Sequence, residues 1–555
     1  MPKLLTYNRL VFAILMLFSV AVSVILKNEN FFDIANYHYY NPWAWLNGRV
    51  GYDIAPASYL TFLNPLLDLP RYFTIVWLNE HINWFYAVNG LWFGLLLFVF
   101  YKILQLLFNT SSSGGHLPVI LTLIVAITGR MTWFNISSSN NEIILAFINL
   151  CGLYLLFREV SNKPSQKAIN FMYAGLILGA SLGLKSTNIT ICVASGLSLL
   201  IGFKWLTKPI KFISIFALSG LVGYLIINGW WMYKMYSLYG NPFFPFLNSI
   251  FKSEYFLGDE IYFDNFAPTF KQLVYCPFLA LSSNICNGEG DGLDFRLQIF
   301  YTLAVVWLIY LLITKKIKYY YQTQPLQFFF YLFWVIDYLL WAKLFAVQHY
   351  FVVIEMFGAV LLIQSLQWWF KKKKFRVLLW AVVYVLSIVL LSVPLIEENF
   401  NNLQGKDAVI KAEPIKLPDH TLIKLYNMPL AGLLPEIAKY SNDFRAVGLS
   451  QFVDVLPHTN TDITQNGKFK DIINELEKQY DNQVIIFRLS LNNMQKRFIS
   501  NRLKSELKGK KCRQVATYFN NLGWPIYICI PHDWEDFAQH KKDETDEADE
   551  LDSQN

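Results

Sequence analysis

The sequence predicts an all-α polytopic membrane protein of about eleven transmembrane helices with a small C-terminal α/β extracytoplasmic domain. Three observations lead there. The 555 residues are 54% hydrophobic and only 16% charged, where an ordinary soluble chain carries about a quarter charged residues. The apolar residues gather in nearly charge-free blocks of roughly 17 to 22, the length that crosses a hydrocarbon layer about 30 Å thick. Beyond residue 395 that pattern gives way to short β-like runs alternating with amphipathic stretches.

The eleven windows lie near residues 9–26, 84–106, 117–133, 142–158, 168–184, 187–203, 212–230, 297–314, 326–342, 350–370 and 377–394. The first follows Lys3 and Arg9 and runs into Lys27, Asn28 and Glu29 instead of a small-residue cleavage pattern, so it reads as an anchor. With the N-terminus in the cytosol, the inside loops collect Arg158, Lys163 and Lys167, then Lys204, Lys208 and Lys211, then Lys315, Lys316 and Lys318, and finally the basic run 371–374 with Arg376. Cytosolic loops retain positive charge, which sets this orientation and, for an odd number of spans, places the C-terminus outside. The net charge of +7 is dispersed over these loops, which argues against a nucleic-acid partner.

The resulting plan is a transmembrane part, 1–395, with large outside loops at 27–83 and 231–296. An extracytoplasmic α/β domain follows at 396–539, with strands expected at 421–426, 444–449, 483–489, 515–519 and 525–530 and a helix at 469–480. Residues 540–555 are acidic and free of aromatics, the composition of a disordered tail. Cys151 and Cys192 fall within spans as packing residues, while Cys276 with Cys286 and Cys512 with Cys529 sit pairwise outside, where disulfides form. The expected localisation is the inner (plasma) membrane.

Residues 31–72 read FFDIANYHYYNPWAWLNGRVGYDIAPASYLTFLNPLLDLPRY. Tyr37, Tyr39, Tyr40, Trp43, Trp45 and Tyr52 are residue types that settle at the headgroup level, so the segment is expected to lie along the membrane surface. Among these rings stand Asp33, Asn36, His38, Asn41, Asn47, Arg49 and Asp53. A polar constellation held at a lipid surface suits a substrate with a greasy tail and a polar head.

Together with GASLGLKST at 179–187 and YGNPFFPFLN at 239–248, this segment resembles the GT-C superfamily of membrane glycosyltransferases, and within it bacterial families of GT87 type and those with the putative-mannosyltransferase domain. The resemblance covers roughly residues 1–370 in layout and implies a polyprenyl-phosphate-sugar donor, an inverting transfer and an essential acid in the first outside loop. Where that family often shows two adjacent acids, Asp33 stands alone, so no metal ligand is assigned and a divalent cation is the only cofactor the resemblance allows. The acceptor is a lipid, a glycan or a protein, and membrane lipids are the remaining partners.

The chemistry asks for a carboxylate to take the proton of the attacking hydroxyl, a role given to Asp33 with Glu142 as a second acid. It also asks for fixed cations facing the phosphate that leaves, and Arg49 and Lys185 are the candidates. Tyr37, His38, Asn41, His349 and Tyr350 complete the expected substrate-binding set. No P-loop or GxGxxG fingerprint follows a predicted strand, consistent with a donor that arrives in the bilayer.

Each residue also has a plainer reading. Asp33 suits the N-cap of a surface helix starting at Ile34, and Glu142 suits the first turn of its span. Lys185 ends a span whose Gly175, Gly179 and Gly183 form a small-residue face, and its ammonium can reach the headgroups from there. Asp337, deep in the ninth span, is either paired or functional, and Asn188, Glu355 and Arg130 carry weaker signals. A transporter or lipid flippase is the main alternative, disfavoured by the lack of matching halves; a surface-polysaccharide ligase or polymerase and a membrane scaffold follow.

Overall fold

The computed structural model describes residues 2–29, 31–108, 116–136, 138, 140–256, 268–280, 286, 295–369, 401–402, 408–449, 464, 467–488, 501–517 and 525–531. The last predicted window, the 371–374 run and the acidic tail lie outside the described residues. The chain divides into two compact units. The first comprises Met1–Glu29, Tyr86–Gly229 and Phe263–Gln404, the second Asn30–Phe85, Trp230–Tyr262 and Gly405–Asn555. Division by chain order assigns both large loops to the transmembrane part, whereas contacts group 30–85 and 230–262 with the C-terminal region.

The first unit is helical: α1 Pro2–Leu26, α2 Ile82–Leu107 from Tyr86 on, α3 His116–Ile127, α4 Glu142–Ser161, α5 Ala168–Leu184, α6 Ile189–Ile201, α7 Pro209–Tyr239 up to Gly229, α8 Arg296–Ile313, α9 Pro325–Leu344 and α10 Val352–Trp369. Among the described residues seven helices are long and apolar enough to cross a membrane: Tyr7–Leu26, Ile82–Leu107, Glu142–Ser161, Pro209–Tyr239, Arg296–Ile313, Pro325–Leu344 and Gln348–Trp368. The expectation of eleven is corrected accordingly. Three further windows form shorter apolar helices, His116–Ile127, Ala168–Leu184 and Ser186–Ile201.

The short helices have local causes. Window 117–133 is broken at Gly129, whose backbone is extended at φ −60°, ψ 137°. A Cβ there would lie 2.1 Å from Glu355 Oε2. That carboxylate accepts from the amides of Met131 at 3.2 Å and Thr132 at 2.8 Å, so it takes up donors that the helix break frees. The second break follows α5, where Lys185 is extended and Ser186–Asn188 form a 3-10 turn before α6. The small-residue face of α5 meets α7: a Cβ on Gly175 would lie 2.1 Å from Ser219 Oγ, and Cβ atoms on Gly179 and Gly183 would collide with Gly220 and Ile227. Around it α4 packs on α5, α6 on α9, and α10 on α3 and α8.

The second unit is built on a five-stranded mixed sheet. Its strands are β1 Thr421–Tyr426, β2 Phe444–Leu449, β3 Asn482–Arg488, β4 Lys510–Val515 and β5 Ile526–Pro531, in the order β2-β1-β3-β5-β4. β1 runs parallel to β2 and β3, and β5 runs antiparallel to β3 and β4. The central strand TLIKLY is buried throughout, as a strand covered on both faces should be. Helix α11, Gly467–Gln479, buries Phe469, Ile473 and Leu476 at helical spacing and leaves its charges outward. The free edge of β2 is covered by residues 50–54: Ile54 pairs with Val447, donates to Ala446 O at 2.9 Å, and accepts from Gly448 N at 2.9 Å. Cys512–Cys529 joins β4 to β5, and Cys276–Cys286 closes a loop of the first unit; Cys151 and Cys192 are free thiols.

The aromatic segment behaves differently from its surface expectation. Tyr37, Tyr40 and Trp43 pack in one core with Ile423, Leu425, Val484 and Ile528 of the sheet. Burying rings against a ready apolar sheet face removes them from water as effectively as lipid would.

Candidate functional site

The candidate residues fall into two groups. Asp33, Tyr37, His38, Asn41 and Arg49 belong to the second unit, and Glu142, Lys185, His349 and Tyr350 to the first.

In the second unit the chain passes from a short turn, Phe31–Asp33, into a π-helical turn at Ile34–His38 and an α-helix at Tyr40–Leu46. Asp33 is half-buried and makes no side-chain cap bond, so the N-cap reading is not what holds it there. His38 Nδ1 lies 2.6 Å from Asp68 Oδ1, both side chains 4% exposed. Asn41 donates to Leu60 O at 2.9 Å.

Arg49 is committed inside the unit: Nε and Nη2 reach the two oxygens of Asp53 at 2.7 and 2.6 Å, and Nη2 also donates to Phe444 O at 3.0 Å. Asp53 further accepts from Tyr40 Oη and from Ala446 N, both at 2.9 Å. Burial works against the guanidinium charge, but the Asp53 carboxylate outweighs it and Arg49 is held above its ordinary pKa. Burial and then Asp53 push the Tyr40 phenol well up. These bonds tie the first loop to β2 of the sheet, a structural duty that sequence reasoning had not assigned. Where a phosphate-facing cation was expected, the Arg49 guanidinium faces Asp53 and Phe444 O.

The first unit gathers the other candidates at helix ends. Glu142 is the first residue of α4, Lys185 stands in the extended break after α5, and His349 and Tyr350 lie on the 3-10 turn Gln348–Phe351 that precedes α10. Lys185 Nζ donates to Glu142 Oε1, and His349 Nε2 is 3.7 Å from the same oxygen. The ammonium also sits 4.5 Å from the Tyr350 ring centroid, while His349 crosses that ring edge-on at 4.2 Å. Four residues more than two hundred positions apart at the extremes thus form one acid-cation-aromatic cluster.

Two arginines from other helix starts, Arg130 of Arg130–Asn135 and Arg296 of α8, share a cavity with Gln348 of that turn. A cavity of about 40 Å³ is lined by Arg130, Arg296, Gln348 and Glu355 among others. Arg130 donates to Gln348 Oε1 at 3.2 Å, and Arg296, 2% exposed, donates to Thr128 O. Gln348 therefore joins the arginine side to the His349–Tyr350 side through adjacent residues. Arg296 and Gln348 were not singled out from sequence, because a lone Arg opening a span reads as a topology mark; the QHY run was the only signal.

On the far side of Glu142 a second cavity, about 30 Å³, is lined by Glu142, Asn149, Thr187, Asn188, Thr190, Asp337 and Tyr350 among others. Asp337 is 1% exposed. Among the described residues no group of three or more His, Cys, Asp or Glu could hold a metal ion. Chemically, Lys185, His349, Arg130 and Arg296 suit an anion, and Glu142 can hold or pass a proton. Comparison with protein-family models, curated proteins and solved structures yields no match.

Proposed function

We propose that the protein is a glycosyltransferase of the inner membrane, moving a sugar from a polyprenyl-phosphate donor to an acceptor hydroxyl on the extracytoplasmic face, with inversion. The observation that carries this reading is the cluster in which Glu142 holds Lys185 and His349 on one oxygen, beside a turn that continues toward Arg130 and Arg296. Cations set at the ends of long apolar helices suit a phosphate that reaches them along the bilayer.

In the transfer, the acceptor oxygen bonds to the anomeric carbon as the bond from that carbon to the phosphate oxygen breaks. The electron pair leaves with the phosphate, whose growing charge Lys185, His349, Arg130 and Arg296 offset. The hydroxyl proton passes to a carboxylate, for which Asp33 of the second unit and Glu142 of the first are the two candidates. The apolar spans anchor the chain with its N-terminus cytoplasmic and its C-terminal domain outside.

Purified protein in detergent, given radiolabelled polyprenyl-phosphate mannose, glucose or arabinose and a membrane extract, is expected to transfer label, and Asp33→Asn and Glu142→Gln to stop it without loss of expression. Unchanged transfer in Asp33→Asn removes that residue as base. Ion-gradient-driven uptake into sealed vesicles with no transfer overturns the enzymatic reading in favour of a transporter. Reporter fusions after residues 110, 207, 320 and 400 test the orientation: 110 is expected in the cytosol and 400 outside, while 207 and 320 report whether the three shorter apolar helices also cross.

A further inference from the structure

The mechanism above leaves one buried acid unused. Asp337 lies in the middle of α9, 1% exposed, and neither carboxylate oxygen has a well-formed hydrogen bond. The Thr190 hydroxyl, at the start of α6, is the polar group that bears on it. Asn149 on α4 lines the same cavity, is 1% exposed, and leaves its carbonyl oxygen without a donor while its amide serves Asn188 Oδ1 at 3.1 Å. An unneutralised carboxylate among apolar helices is costly, and a lone uncommitted amide oxygen beside it adds to that cost.

The surroundings limit what can neutralise it. The cavity's other carboxylate, Glu142, already holds Lys185, so that ammonium is committed away from Asp337. Tyr350 lines the same cavity, and the nearby Cys192 thiol on α6 donates to Leu178 O at 3.2 Å. The free oxygens are hard donors of carboxylate, amide and hydroxyl type, the kind that bind ions of the first two groups. About 30 Å³ accommodates one small ion or one water. The wall includes Thr187 and Asn188 at the 3-10 break between α5 and α6, and irregular backbone at membrane depth is tolerated where it lines such a cavity.

We propose that Asp337, Asn149 and Thr190 form a binding site for one small alkali-metal cation, with Asp337 supplying the matching charge. The site does not rest on the transfer reaction: it stands whether the chain is an enzyme or a transporter, and its test needs no sugar donor.

The purified full-length protein is titrated with radioactive sodium ion, and its thermal unfolding is followed in sodium, potassium and choline chloride at equal ionic strength. The expected result is one saturable class of sodium sites and a higher unfolding temperature in an alkali salt than in choline. Asp337→Asn is expected to abolish both effects, and Thr190→Val to weaken sodium binding roughly tenfold. Should Asp337→Asn fail to fold, the salt series on the unaltered protein and the Thr190→Val titration decide. Identical unfolding in all three salts, sodium binding that persists in Asp337→Asn, or stability that follows pH while ignoring the alkali ions each overturns the proposal, the last by assigning a proton to the carboxyl.

Discussion

Each unit of the molecule holds a buried acid-base pair, and the two pairs are built to different ends. Around Asp53 every bond is matched: both oxygens accept twice, from Arg49, Tyr40 Oη and Ala446 N. The Glu142 pair puts Lys185 and a more distant His349 on one oxygen, its lysine side chain is 17% exposed, and a cavity adjoins it. A saturated pair away from any cavity fixes a loop; a pair that adjoins a cavity can exchange partners when an anion arrives. Buried charge alone does not mark a functional site, and open space beside it is the better guide.

The contrast sharpens under substitution. Asp53→Ala leaves Arg49 without its partner in a mostly buried setting, and the expected cost is about 3–5 kcal/mol, read as a fall in unfolding temperature and in the yield of monodisperse protein. An unchanged unfolding temperature would mean the loop is held by something else. Replacing Cys512 and Cys529 together by Ser releases a 17-residue separation and should cost about 3 kcal/mol, confined to amide exchange in β4 and β5. Gly179→Val forces a side chain onto Gly220 of α7 and should cost about 1–3 kcal/mol by the same unfolding assay. Tyr350→Leu removes only the ring beneath Lys185, worth about 1 kcal/mol, and should appear chiefly as a weaker KM for the lipid donor.

Much of the architecture was legible because period and length are local properties. Ten of the apolar windows coincide with helices, and 421–426 and 444–449 become strands as expected, since alternating or continuous β-branched and aromatic runs identify themselves. The strand expected at 515–519 is described only as far as Thr517, and the structure begins it earlier, at Lys510. Lys510–Val515 is an edge strand whose KKCRQV is only partly buried, so its composition tracks water and not the sheet. The break at Gly129 was invisible because its cause, Glu355, is 226 residues away in the chain.

Lys185 with Glu142, and His349 with Tyr350, do gather, though Glu142 and Lys185 were singled out for separate reasons and nothing in either segment announced the other. The crowded polar loop drew attention to Arg49 and His38, yet those residues answer to Asp53 and Asp68 within their own unit. Sequence shows which residues are chemically able; only the fold shows which are already engaged.

The most direct test of the Glu142 cluster is the rate of sugar transfer by Glu142→Gln, measured beside its unfolding temperature. Glutamine keeps an oxygen for Lys185 but cannot carry the charge or a proton, so transfer should fall by at least a factor of about 100 while unfolding stays near that of the unaltered protein. Transfer at the unaltered rate would show that the cluster, like the Asp53 network, only holds the fold together.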